Sequence, residues 1–426
     1  MSDSRAPEPL IELVGAAFSN KGAELMLRTA MVEIRERLPS ARFAMNLHRG
    51  SPAQRRSIGA ADVVWRPSRS RLVSSAHRRL ASVYASLGRC RDEIMPELET
   101  GAGRMAALRD WWRSARAARS VHSVLPDEVD AVVDVSGYAY GDGWGWRHTD
   151  QLPTYYRALR RRGSRVILLP QTLGPFEDSR VRRIFLDVYA AADIVYARDD
   201  QSLEHARAVL PETFRLRRAP DITIRREEAA GLDWVEGKAC VIPNRNMTTH
   251  LGADVARGYV RFLERVLRML RQLGAEPFVL IHDLGGGDER VAREAIAAVG
   301  GVEIVKEDDP FRVKAIIGRS FLTVSSRYHG LVAALSQGVP SLATGWAHKY
   351  ETLLEDYGVP EALLDPLASE EVLTASLRRL FVPEKRAEVS SALLHAEAKR
   401  VSEVERMWDE VMPLIAGDPP RAGAER

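Results

Sequence analysis

Cysteine is scarce in this chain: Cys90 and Cys240 stand far apart among 426 residues. That excludes a disulfide framework and a cysteine-based zinc pattern, and it fits a reducing, cytoplasmic setting. There is no run of about 18 apolar residues, so no membrane-spanning helix is expected. The opening MSDSRAPEPLIELVG lacks a basic stretch followed by an apolar one, so no secretory signal peptide is expected. An excess of charge of one sign is also missing. The formal net charge is +3, which argues against a nucleic-acid partner. No glycine fingerprint runs straight into a helix, which argues against a nicotinamide cofactor. His282 and Asp283 have no third ligand at a convincing spacing, so no metal site is expected.

What is present is alternation. Short apolar runs at Leu10–Ala16, Arg42–Asn46, Ala131–Val135, Val166–Leu169 and Ile194–Ala197 are separated by helical stretches. A second series follows: a strand near Ala239, then Pro277–Ile281, Val302–Val305, Phe321–Val324 and Pro340–Thr344. Apolar strands between helices predict an α/β fold of parallel sheets with helices on both faces. The expected division is an N-terminal Rossmann-like domain over 1–230, a C-terminal one over 239–415 and a disordered tail over 416–426. The segment from about 51 to 120 breaks the alternation, with 14 arginines against 6 acidic residues and a Trp111–Trp112 pair. It reads either as a helical insertion with a solvated basic face, or as a flap that touches an anionic membrane surface or a lipid-linked substrate.

The residues suited to chemistry follow predicted strands, where open α/β sheets bind ligands. The turn Ser325–His329 is the most informative. It joins a strand to a helix start, places Ser326, Arg327 and His329 together, and has Lys349 downstream. Helix N–H groups, an arginine fork and an imidazole suit an anionic substrate whose reaction needs a proton. Asn20 and Lys21 follow the first strand; Asn20 alone is also explained as a helix cap. Gly137, with Gly141, Gly143 and Gly145, permits close backbone approach to a ligand or simply forms turns. Gln171 could hydrogen-bond a sugar or phosphate. Arg198 is a second anion-binding candidate or the partner of the adjacent Asp199 and Asp200. His282 is a binding candidate or a structural histidine. Asp221 reads as the start of a turn.

The order of these motifs resembles the polysaccharide pyruvyl transferase family from about Leu13 to Gly358. The carriers are NKGAELM, DVSGYAYGDG, LPQTLGP, ARDDQS, APD, IHD and SSRYHGLVAALSQGVPSLATGWAHK. The last places the family's arginine and histidine on Arg327 and His329, its Gly-x-Pro on Gly338 and Pro340, and its lysine on Lys349. Two positions depart from the family pattern: Ser136-Gly137-Tyr138 replaces a glycine triplet, and Ala23 precedes the expected acid. The resemblance implies two Rossmann-like domains facing a central cleft, of GT-B type. It implies phosphoenolpyruvate as donor, with no separate cofactor, and a sugar or lipid-linked oligosaccharide as acceptor. Under it, His329 is the expected general acid or acid/base, and Arg327 stabilises the departing phosphate. A glycosyltransferase using a nucleotide sugar, and a non-catalytic sugar- or nucleotide-binding protein, are the competing expectations.

Overall fold

The computed structural model describes residues 8–15, 17–46, 49–63, 123–124, 128–249, 253–345 and 347–417. The first sheet contains β1 (Leu10–Val14), β2 (Arg42–Asn46), β3 (Ala60–Val63), β4 (Ser123–Val124), β5 (Ala131–Asp134), β6 (Arg165–Gln171), β7 (Ile194–Ala197) and β8 (Leu216–Arg218). Its order is β4-β3-β2-β1-β5-β6-β7-β8, and its pairs are parallel. The second holds β9 (Lys238–Ile242), β10 (Glu276–Ile281), β11 (Glu303–Lys306), β12 (Leu322–Ser325) and β13 (Ser341–Ala343). Its order is β11-β10-β9-β12-β13, again parallel.

The near-continuous apolar strands are explained by burial on both faces. In β1, Ile11 and Leu13 join one apolar cluster while Leu10 joins another. In β9, Ala239 and Val241 face one cluster and Cys240 and Ile242 the other. β3 and the two edges of the first sheet, β4 and β8, were not expected from the sequence. β8 is LRR, and β3 carries Asp62, which receives a hydrogen bond from Arg55. Edge strands have less to bury and accept polar residues, so their hydrophobic signature is weak. The helix Pro52–Ser57 and β3 show that 51–63 continues the alternation instead of opening an insertion. The rest of the basic segment, from residue 64, and the tail from residue 418 lie outside the described residues.

Two features tie the halves together. Lys21 N–H donates to the His282 carbonyl at 2.9 Å, and Leu284 N–H to the Ser19 carbonyl at 2.8 Å, so Asn20 and Asp283 form an antiparallel bridge between the sheets' loops. The long C-terminal helix Pro383–Ile415 returns to the first sheet, a role its position in the chain does not announce. There Glu410 accepts hydrogen bonds from Tyr196 Oη (2.6 Å) and Arg217 Nε (3.0 Å), and Trp408 is fully buried. Among the described residues no helix is long and apolar enough to cross a membrane.

Candidate active site

Strand order reverses between β1 and β5 in the first sheet and between β9 and β12 in the second. Parallel sheets bind ligands beyond the strand ends at such a switch point. The loops from both points meet at a cavity of about 350 Å³. Gly15 and Asn20 enter it after β1, Ser136 to Ala139 after β5, Asn244 after β9, and Arg327, Tyr328 and His329 after β12. Arg49, Arg198, His282 and Lys349 add to the wall; among the described residues no aspartate or glutamate does.

The carboxylates stand behind the cations. Arg327 forms a fork with Asp288 (Nε–Oδ2 2.8 Å, Nη2–Oδ1 2.5 Å) and reaches Asp283 Oδ2 at 3.3 Å. Burial disfavours its charge, but Asp288 and Asp283 outweigh this and hold the guanidinium above its ordinary value. A bidentate pair fixes the plane of the guanidinium as well as its charge. Arg327 also precedes the helix Tyr328–Leu335, whose N-terminus no side chain caps. That leaves the positive end of the helix dipole available to an anion.

Asp221 organises the other side. It accepts Arg198 Nη1 at 2.9 Å and lies 3.3 Å from His329 Nε2, off the line of a well-formed hydrogen bond. Its second oxygen accepts Thr223 N–H (2.9 Å) and Oγ1 (2.6 Å). Burial opposes ionisation of Asp221, yet His329 and Arg198 prevail and keep the carboxyl well below the usual range. His329 is pushed down by burial, with Asp221 pulling the other way. Lys314 donates to the carbonyls of Thr223 and Arg225 and so pins the turn that presents Asp221.

Lys349 and His282 are held toward neutrality. Lys349 Nζ lies 4.3 Å from the Tyr138 ring centroid and 5.2 Å from that of Tyr328. Burial, then Arg198 and Arg327, push its ammonium well below its ordinary value. His282 is likewise pushed down by burial, then by Arg327 and His329, and its Nδ1 is buried without a hydrogen-bond partner among the described residues. Arg198 stacks on Tyr328, 4.1 Å from the ring centroid.

Of the residues singled out in the sequence, Asn20, Gly137, Arg198, His282, Arg327, His329 and Lys349 line the cavity. Asn20 also caps its helix, its Oδ1 accepting Gly22 N–H at 3.0 Å. Gly137, at φ +65°, has the Met26 sulfur 2.7 Å from where a Cβ would sit. Three residues lie outside the wall. Lys21 is buried against Glu24 (2.8 Å) and donates to the Asp308 carbonyl at 2.9 Å, clamping the two halves. Gln171 is buried at the end of β6, beside Asp134. Ser326 is held from several sides: Tyr259 donates to its Oγ at 2.7 Å, and Asn244 and Tyr350 donate to its carbonyl at 2.8 and 2.9 Å. These three build the site's frame.

Sequence reasoning missed the roles of Asp221, read only as the start of a turn, of Asp288, and of the rim residues Tyr138, Trp144 and His148. Asp221 ends the APD motif and Asp288 follows Gly285, Gly286 and Gly287, but nothing local showed which cation each would meet.

The polysaccharide pyruvyl transferase family model matches residues 20–348. The chain belongs to this family. Lys349 lies one residue beyond the matched span, which contains every other cavity residue predicted from the sequence. No curated protein matches the chain. Solved structures share its architecture at low identity. A putative UDP-N-acetylglucosamine 2-epimerase from Listeria monocytogenes superposes with a TM-score of 0.57 at 13% identity, covering 97% of this chain and 98% of the other. An S. aureus MnaA–UDP co-structure gives 0.56 at 10%, covering 97% and 100%. A glycosyltransferase from Rickettsia africae gives 0.52 at 11%, covering 96% and 98%. The chain therefore has the GT-B fold.

Proposed function

We propose that the protein transfers the pyruvyl group of phosphoenolpyruvate to two hydroxyls of a sugar, in a cell-surface polysaccharide or its lipid-linked precursor, forming a ketal. Family membership supports pyruvyl transfer in general. The observation that carries the donor is the cavity wall, which holds Arg198, Arg327 and Lys349 and, among the described residues, no carboxylate. Phosphoenolpyruvate places a carboxylate and a phosphate on three carbons, and such a compact polyanion needs several cations in fixed geometry.

In this reading, His329 gives a proton to the methylene carbon, which becomes the methyl group. C2 gains cationic character and an acceptor hydroxyl adds to it. The C2–phosphate oxygen bond breaks, with Arg327 stabilising the departing charge. A second hydroxyl closes the ring. The two hydroxyl protons balance the equation: one replaces the proton given to carbon, and one leaves with inorganic phosphate. Asp221 favours the protonated form of His329 before transfer.

Purified protein with phosphoenolpyruvate and a panel of sugars tests this. Phosphate release that depends on acceptor, with a pyruvyl mass gain on the sugar, is expected. Turnover of a nucleotide sugar instead would overturn it in favour of a glycosyltransferase. Binding of sugar or nucleotide without any turnover would assign a non-catalytic role.

A further inference from the structure

The cavity has two chemically different ends. Arg198, Arg327, Lys349 and His282 are buried in its wall, whereas Arg49, Trp144 and His148 are exposed at its rim. Trp144 is 41% exposed, one of the few large apolar side chains left open to solvent. Its indole meets Tyr138 at 69° and His148 at 87°, each with ring centroids 6.4 Å apart. The segment is anchored. Asp142 accepts Glu177 N–H at 2.9 Å, and Trp146 lies under the guanidinium groups of Arg147 (5.3 Å) and Arg180 (5.0 Å). Gly141 lets the Tyr138 ring lie on its backbone, since a Cβ there would meet that ring at 2.4 Å.

We propose that the Trp144 indole, braced by Tyr138 and His148 standing nearly perpendicular to it, is the platform on which the acceptor sugar stacks. The proposal rests on the pyruvyl-transfer reading for the identity of the donor. A pyranose is amphipathic: one face presents C–H groups and its edge presents hydroxyls. A rigid aromatic wall with polar groups beside it suits that shape. Depth separates the substrates. The small polyanion belongs with the buried cations. The acceptor must leave the rest of its glycan in solvent, so it belongs at the rim.

The test is Trp144→Ala and Trp144→Phe, assayed with phosphoenolpyruvate and methyl β-glycosides, whose small aglycone cannot itself stack on an aromatic ring. For Trp144→Ala, KM for the glycoside rises about tenfold or more while KM for phosphoenolpyruvate stays within about twofold, and Trp144→Phe restores most of the loss. Equal KM changes for both substrates, or none, would overturn the platform. If the wild type transfers no pyruvyl group, the donor reading fails but the platform is still tested by saturation-transfer NMR. Glycoside ring protons that are saturated by the wild type and not by Trp144→Ala support it; equal saturation overturns it.

Discussion

Gly22 and His329 touch across the boundary between the two halves: a Cβ at position 22 would lie 2.5 Å from both Cβ and Nδ1 of His329. The glycine of the NKG motif is therefore the surface against which the imidazole of the RYH motif is seated.

Gly22→Ala must move either the imidazole or the helix Lys21–Arg37. Overpacking of this kind costs about 1–3 kcal/mol, and a catalytic group displaced by about 1 Å can lose on the order of 10²-fold in rate. The expected outcome is a lower melting temperature with a much larger loss of acceptor-dependent phosphate release. Wild-type kinetics in Gly22→Ala would show that the contact between Gly22 and His329 does not set the position the reaction needs.

Asp221→Asn keeps the shape of the side chain and removes its charge. Asp221 raises the pKa of His329 against the opposing effect of burial, so its loss lowers that pKa. An acid works only while protonated, and activity falls as pH rises through its pKa. The alkaline limb of kcat/KM should move to lower pH, with turnover reduced by about 10²-fold or more. An unmoved limb would detach His329 from that limb.

Anion binding should draw protons from solution. Burial and neighbouring cations push Lys349, His282 and His329 toward their neutral forms. A bound polyanion favours the charged forms, so binding takes up protons near neutral pH. Calorimetry of phosphoenolpyruvate binding in buffers of different ionisation enthalpy measures this. Net proton release near neutral pH would contradict the arrangement.

Glu12 offers a stability test away from the cavity. It is buried in β1, accepts a hydrogen bond from Tyr155, and burial pushes its carboxyl up from 4.5 to about 8. Across that interval the folded state keeps a proton that the unfolded chain releases. Its contribution is fully present below the unfolded pKa and is lost as pH rises through the folded one. Glu12→Gln removes this dependence, so its melting temperature relative to wild type should gain several °C between pH 5 and pH 8, on the order expected for about 3 kcal/mol. A difference independent of pH would mean that Glu12 titrates alike in both states.

Much of the fold was legible because parallel strands buried on both faces leave continuous apolar runs. β2 and β7 match their sequence-based limits, and the central strands β1, β5, β6, β9, β10 and β12 shift by at most a few residues. β3 and the edges β4 and β8 of the first sheet were not legible, because they are short and carry little apolar surface, whereas the edges β11 and β13 of the second sheet were read within a residue or so. Lys21 and Gln171 show the corresponding limit at the site. Both sit in informative motifs after strands, yet one clamps a carbonyl of the other half and the other is buried beside Asp134. A motif gives residue type and neighbours along the chain, but not the direction in which a side chain meets its partner.

By itself, the sequence determined the class of fold, the two alternating units and the residues able to bind an anion and move a proton. Those follow from periodicity and side-chain chemistry, which are local. Only the tertiary structure decided how they combine: Asp288 orienting Arg327 across 39 positions of the chain, and Asp221 standing between Arg198 and His329. It also decided that Gly22 leaves room for His329. Ion-pair strength, pKa and steric clearance depend on distance in space and on burial, and chain folding sets both.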